Sequence, residues 1–250
     1  TAEVMELGWQ ALALIVAAVV ATILVGMLIG RIGGLKSDQS ILSAGAVAIC
    51  GASAALAIAS VLPTHKDHER NTILTVAGVT ALSTVAMVVY PVFVSYLHYD
   101  DVTAGVFLGT TIHDVAQVVG AGYIISDETG ELSTVVKLIR VACLVPVVIV
   151  ISLVMHRRRY PDAPGGPLLP WFLVAFVVLV IFNSLGWVPA QAHTVLTPVS
   201  SWCLLTAVAA LGVKTSLKSL AEVGPAPVGV MLAQTVFLAL FVVGGIALIG

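Results

Sequence analysis

The sequence predicts an all-α, polytopic transmembrane helix bundle in which two helices are broken or re-entrant. Three observations predict it. Of 250 residues, 59% are hydrophobic and only 10% are charged, against about 25% charged in a soluble domain. So few charges cannot cover a soluble surface, whereas a lipid-facing surface has no need of them. The apolar residues fall into long runs, most of them close to the roughly 20 residues a helix needs to cross the hydrocarbon. Finally, the basic residues between the runs lie on one side only if two of the runs do not cross.

The runs, in order, are Leu7 to Gly30, Ser40 to Pro63, Ile73 to Leu97, Val102 to Ser126, Val135 to Met155, Leu168 to Leu185, Thr194 to Val213 and Pro227 to Ile249. Gln10 is the only strongly polar residue of the first, and Gly26 and Gly30 give it a close-packing face. The second is rich in Gly, Ala and Ser. The third carries Pro91, which is expected to kink it or end its regular part. The fourth is the least apolar and holds His113, Asp114 and Gln117. Connections are short, the longest being the Pro/Gly-rich stretch from Arg157 to Pro167. One transmembrane domain over 1–250 is expected. The chain opens on Thr1 with no secretory signal before the first run, as expected of a fragment lacking N-terminal helices.

Mean hydropathy is +1.10 and the net charge is only −2, so the lipid bilayer is an expected partner and nucleic acid is not. Cys50, Cys143 and Cys203 each lie in an apolar run without paired spacing, as small apolar residues do, not disulfide or zinc ligands. No cofactor or metal is expected.

Lys and Arg stay cytoplasmic in short loops. The basic connections hold Arg31 and Lys36, Lys66 and Arg70, Arg157 to Arg159, and Lys214 and Lys218. The connections without basic residues hold Asp100 and Asp101, Asp127, Glu128 and Glu131, and Gly186 to Gln191. If all the runs crossed, basic loops would lie on both sides. If the second and fourth enter and return on the same side, every basic loop lies on one side. Those two runs are also the most Gly-rich and the most polar. Broken or re-entrant helices entering from opposite sides belong to inverted-repeat transporter architecture, because irregular backbone at membrane depth must face protein or a water-filled cavity. Ordinary small-residue packing helices with a local exception to the charge rule are the other reading.

Three groups carry candidate chemistry. In Ser43 to Ala54, Gly45 and Gly51 permit unwinding, and a helix N-terminus beyond the break would offer N–H groups to an anion. Cys50, Gly51 and Ser53 are the candidate substrate-binding residues there; a tight helix seam has the same composition. In Gly109 to Gly122, His113, Asp114 and Gln117 are expected on roughly one helical face. His113 and Asp114 are candidates for proton or ion coupling and Gln117 for substrate binding, because ionisable groups at membrane depth are costly; a hydrogen-bonded structural cluster is the alternative. A zinc-protease motif would need a second His where Gln117 stands. Lys137 and Arg140, at i and i+3, would sit one to two turns into a helix starting near Val135 and suit an oxyanion, unless they snorkel outward. Asn183, which ends the sixth run, either lines a polar path or caps the helix.

These segments resemble a known family. Gly45 to Ala54 with Ile49-Cys50-Gly51-Ala52-Ser53-Ala54, and Gly109 to Gly122 with His113-Asp114-Val115-Ala116-Gln117-Val118-Val119, resemble the two signatures of the sulfate exporter family of bacterial integral membrane proteins. Lys137-x-x-Arg140, Pro170-Trp171-Phe172, Phe182-Asn183-Ser184 and Ala209 to Gly212 follow in that family's order. One departure is Asp114, where the family usually has Glu. The resemblance implies a place in the superfamily of cation/proton antiporters and anion transporters, with inverted repeats, and further helices before the segment matching Thr1.

The function expected is secondary transport of a small inorganic or sulfur-containing oxyanion, sulfate or sulfite-like, with proton coupling through His113 or Asp114, in a prokaryotic inner membrane. The alternatives are a cation/proton exchanger using Asp114 and a transporter of small organic anions. A homo-oligomer is left open. An enzyme is not expected, since no nucleophile–base pair or metal-ligand set stands out.

Overall fold

Two short breaks in the backbone organise the molecule. The computed structural model describes residues 8–64, 66–158 and 225–249, with parts of 174–206. The sixth and seventh runs, the basic residues Lys214 and Lys218, and Asn183 lie wholly or largely outside the described residues. The long elements are α1 (Gly8–Ile32), α2 (Ser37–Ala48), α3 (Ala52–Val61), α4 (His68–Tyr96), α5 (Asp101–Thr111), α6 (Val115–Ile125), α7 (Asp127–Ala142), α8 (Leu144–Arg158) and α9 (Pro225–Ile249). Among the described residues, four stretches are long and apolar enough to cross a membrane: α1, α4, the α7–α8 pair over Asp127–Met155, and α9 over Ala226–Ile249. The second and fourth runs are each two half-helices too short to cross alone.

Both broken runs double back. Lys36 Nζ donates to Asp67 Oδ2 at 3.2 Å, so the start of α2 and the end of the segment after α3 lie together. A methyl group on Gly45 would collide with Ile58, so the two half-helices run side by side. In the other broken run, Asp101 Oδ1 accepts from Ser126 Oγ, and from Thr129 Oγ1 at 2.6 Å. The start of α5 therefore meets the end of α6. α5 runs parallel to α7, with Gly105 against Leu132 and Gly109 against Ser133 and Val136. α6 runs antiparallel to it, with Gly122 against Thr129, Gly130 and Ser133. Missing side chains at these glycines let the backbones approach.

α4 joins the open end of one hairpin to the open end of the other. Its 29 residues span about 43 Å at 1.5 Å per residue. The hairpins therefore enter from opposite ends of α4, and their tips meet between. α1 packs antiparallel to α2 through Gly26 on Ala44 and Gly30 on Ser40, and antiparallel to α9 through Gly33 on Val230 and Gly245 on Leu14. On α1, Val16, Val20, Leu24 and Leu28 are exposed, while Ile15, Ala18, Val19 and Thr22 are buried. The four-residue spacing of the exposed set makes one apolar outer stripe.

Three element ends differ from expectation. α4 runs through Pro91 to Tyr96, because one missing donor near the end of a long helix costs a single bond. α7 begins at Asp127, well before Val135, because the Ser126 hydroxyl accepts from Thr129 N and Asp127 and Glu128 favour the first turn. The interruption between α7 and α8 falls at Cys143, three residues before Pro146, whose ring crowds the carbonyl four residues back.

The hairpin geometry is tested by single cysteines in a background lacking Cys50, Cys143 and Cys203. Lys36→Cys and Lys66→Cys should label from one face of the membrane, and Asp100→Cys and Glu128→Cys from the other. Labelling of positions 36 and 66 from opposite faces would mean that the second run crosses.

Candidate functional site

The first break is Ile49-Cys50-Gly51. Gly51 has φ 65° and ψ −121°, a conformation that glycine tolerates and side-chain-bearing residues do not. The second break is Ile112-His113-Asp114, with Ile112 and Asp114 in extended conformation. The tips touch: the Cα of Gly51 faces His113, and an added Cβ would lie 3.5 Å from the His113 Cβ.

Each break exposes the end of a half-helix. The last carbonyls of α2 and α5 have no partner within their own helix and carry the negative end of its dipole. Lys137 and Arg140, both 0% exposed, point at these ends from one face of α7. Lys137 Nζ donates to Ile49 O at 2.7 Å and to Ile112 O at 2.8 Å. Arg140 donates from Nε to Ala48 O at 2.7 Å, from Nη2 to Val47 O at 2.7 Å, and from Nη1 to Ile112 O at 3.2 Å. Both cations thus bridge the two hairpin tips. Neither snorkels. Because α7 starts at Asp127, Arg140 lies about 20 Å along it, far deeper than one to two turns.

The lysine ammonium has three donors and the guanidinium five. Two and three of these, respectively, meet backbone carbonyls. One N–H of Lys137 and two of Arg140 meet no acceptor among the described residues.

The N-terminal ends beyond the breaks differ from each other. α3 begins after Gly51 without a side-chain cap, and its first N–H groups, on Ala52, Ser53 and Ala54, precede the first intrahelical bond from Ala55 N to Gly51 O. Ser53 is exposed and Cys50 is buried. α6 is capped by Asp114, whose carboxylate accepts from Ala116 N at 2.9 Å.

The expectation that His113, Asp114 and Gln117 share a helical face is corrected. α6 starts at Val115, so His113 and Asp114 precede the helix and its periodicity does not apply to them. His113 Nε2 lies 3.0 Å from Thr235 Oγ1 on α9. Asp114 turns back as the cap, and its own N–H donates to Ser83 Oγ on α4 at 3.0 Å. Gln117 faces α4, donating from Nε2 to Thr84 Oγ1 at 2.9 Å. Thr84 Oγ1 in turn donates to Thr80 O, which fixes the amide and leaves the buried Gln117 Oε1 without a partner among the described residues.

Sequence reasoning passed over Ser83, Thr84, Gln234 and Thr235. Gln234 donates from Nε2 to Gly26 O at 2.8 Å and to Ser43 Oγ at 3.1 Å, tying α9 to α1 and α2. The signal was present, since Gln234 and Thr235 are the only polar side chains in the run Pro227 to Ile249.

Apolar spans around two facing hairpins with buried basic side chains define an integral membrane protein with a polar centre. A family model described as conserved hypothetical protein 698 matches residues 1–231, and the chain belongs to that family. It is 52% identical over 246 residues to a UPF0324 membrane protein of Chlorobaculum tepidum, covering 98% of this chain and 69% of that one. It is 51% identical over 247 residues to the UPF0324 membrane protein TauZ of Paracoccus denitrificans, covering 98% and 73%. A UPF0324 membrane protein of Pseudomonas putida is 35% identical over 249 residues, covering 97% and 69%. No solved structure matches the chain.

Two substitutions test the centre by thermal unfolding in detergent. Arg140→Ala leaves buried carbonyls unpaired and is expected to cost at least about 3 kcal/mol. Arg140→Lys should recover only part, being a point charge without the fork. Gly51→Ala should cost about 1–3 kcal/mol through backbone strain, since the space beside Gly51 accepts a methyl group. Wild-type melting of Arg140→Ala would show that the carbonyls find other partners.

Proposed function

We propose that the chain forms the transport core of a secondary transporter of a small oxyanion in a prokaryotic inner membrane. The observation that carries this reading is the meeting of two helical hairpins from opposite ends of α4. Placed in a bilayer, both are re-entrant, with tips near mid-depth. Irregular backbone there requires protein or water around it, and transporters place substrate sites at such breaks. The segment order supports an inverted repeat: a hairpin followed by a spanning helix (α2–α3, α4) precedes a second such unit of opposite sense (α5–α6, α7–α8). The topology also collects Arg31, Lys36, Lys66 and Arg70 on one face.

The oxyanion reading rests on donors. The uncapped start of α3 offers the N–H groups after Gly51 and the Ser53 hydroxyl, with Cys50 beside them, and suits an anion. The free N–H groups of Lys137 and Arg140 add positive charge. Gln117 Oε1 can only accept, which suits the hydroxyl of a protonated oxyanion such as hydrogen sulfite. Asn183 is kept in the polar path by its place at the end of the sixth run. Sulfate and sulfite-like ions lead among substrates because the sequence resembles the sulfate exporters, and small organic anions fit the same donors. Coupling falls to His113 or Asp114, the two ionisable side chains of the second break.

A cation/proton exchanger centred on Asp114 is the second reading. It is favoured by the unpartnered acceptors His113 Nδ1 and Gln117 Oε1, and opposed by the two buried cations.

Uptake of radiolabelled sulfate, sulfite and organic sulfonates into proteoliposomes, with and without a pH gradient, tests the proposal. Saturable uptake of one of these anions is expected. Proton-coupled sodium or potassium flux without anion uptake would decide for the exchanger. Asp114→Asn should retain anion exchange and lose its pH dependence, and Gln117→Ala should raise the half-saturation concentration several-fold. An Asp114→Asn profile matching wild type would leave the acid as a helix cap and move coupling to His113.

A further inference from the structure

Thr235 stands outside the groups that would touch an anion, yet its hydroxyl meets the histidine at the second tip. That hydroxyl has one hydrogen. It lies 2.8 Å from Met231 O, the carbonyl one turn back on α9, and 3.0 Å from His113 Nε2. A carbonyl can only accept, so the hydrogen that satisfies Met231 O leaves Thr235 Oγ1 as an acceptor toward the ring. A second observation points the same way. His113 is 0% exposed and its Nδ1 has no hydrogen-bond partner among the described residues. A proton on Nδ1 would create a buried N–H with no acceptor in hydrogen-bonding geometry, because the Val47 carbonyl that approaches the ring already accepts from Arg140 at 2.7 Å; proteins avoid such an N–H more strictly than an unfilled acceptor.

We propose that Thr235 is a positioning residue that fixes His113 as the Nε2–H tautomer and thereby makes Nδ1 the atom at which this histidine takes up and releases a proton. The chain runs Nε2–H to Thr235 Oγ1, then Thr235 O–H to Met231 O, and ends on the backbone of α9. Nδ1 is the lone pair left over. Tautomer choice in a histidine is set by the bond its other nitrogen makes, and here that bond comes from α9, a helix outside both hairpins. The neighbouring residue Gln234 holds the same turn of α9 against Gly26 and Ser43, so the threonine is anchored.

The groups around the ring define its electrostatic setting. Gly51 and Cys50 lie beside it on the first tip. Lys137 and Arg140 on α7 donate to the carbonyl of Ile112, the residue before it. Asp114 follows it in sequence, with its backbone held by Ser83 of α4. Both cations act on the ring through space, and the Val47 carbonyl of the first tip approaches it as well. A histidine with one nitrogen locked can respond to this setting only through the other. The functional part of this inference rests on the proton-linked reading above; the tautomer itself does not.

The test uses the full chain in nanodiscs with 15N-labelled histidine rings, the His113 signals being identified by their loss in His113→Gln. Wild type should show a protonated Nε2 and an unprotonated Nδ1. Thr235→Val, which keeps the shape and removes the acceptor, should shift the ring to a mixture of tautomers, and Thr235→Ser should return the wild-type spectrum. A protonated Nδ1 in neutral wild-type His113 overturns the inference, as does a Thr235→Val spectrum identical to wild type. The wild-type measurement decides even where Thr235→Val does not fold. In proteoliposomes, Thr235→Val should move the pH midpoint of anion transport towards acid by about half to one unit, the equivalent of one lost hydrogen bond, because the imidazolium donates more strongly than the neutral ring and loses more. A tautomer that responds to Thr235 while the transport profile stays fixed would uphold the positioning role and overturn the proton-linked reading.

Discussion

The structure depends on two cations meeting the carbonyl ends of two half-helices. A charged side chain at membrane depth is expensive, and so is a carbonyl with no partner there. Lys137 and Arg140 cancel both costs together, through five hydrogen bonds to Val47, Ala48, Ile49 and Ile112. No carboxylate is needed for this pairing, because the dipole ends supply the negative potential. The half-helices can therefore stop in the interior, and stopping there is what allows the chain to turn back.

Once the tips are fixed, the small residues become necessary. A cation on α7 can reach both tips only if α5 and α6 press closely on α7. Gly105, Gly109 and Gly122 permit this, since a Cβ at any of them would strike α7. Gly45 does the same within the first hairpin, and Gly26 and Gly30 bring α1 onto α2. A Gly-rich composition that looks like generic membrane packing is thus tied to specific approaches. The polar base of the second hairpin, where Asp101 accepts from Ser126 and Thr129, closes the frame at the opposite end.

Much of this was legible in the sequence, at the level of segments. Gly45 and Gly51 both offered a break; Gly51 takes it with φ 65°, whereas Gly45 stays helical inside α2 and gives Ile58 room to approach. Lys137 and Arg140 were marked by cost and by their i, i+3 spacing. The loop charges singled out the second and fourth runs, and each of these is interrupted into two half-helices. What was not legible depends on long-range convergence. Nothing local says that the donors of Arg140 go to carbonyls some 90 positions earlier in the chain, and an anion clamp was the natural local reading. Helical periodicity misplaced His113 and Asp114 because it was applied across a break, where side-chain directions follow no fixed period. Gln234 and Thr235 went unnoticed because a polar pair in an apolar run declares that it has partners without naming them, and these lie on α1, α2 and the second tip.

The clamp also limits how such a centre can move. Pulling the tips apart would break either the three bonds to Val47, Ala48 and Ile49 or the two to Ile112. Hydrogen bonds from charged donors contribute about 1.5–3 kcal/mol each, so the cheaper separation already costs about 3–6 kcal/mol, before any penalty for the carbonyl left exposed to a medium that cannot solvate it. Moving α2, α3, α5, α6 and α7 together breaks none of them. α9 is placed differently. Besides apolar packing, its described hydrogen bonds to the hairpins are one between Thr235 and His113 and one from Gln234 to Ser43, and neither involves a charged donor as long as the ring is neutral. A change of protonation at His113 acts on that weaker contact while the cation clamp stays intact. The bonds thus divide the described part of the molecule into a rigid body built on α7 and a neighbour, α9, held to it by contacts of ordinary strength.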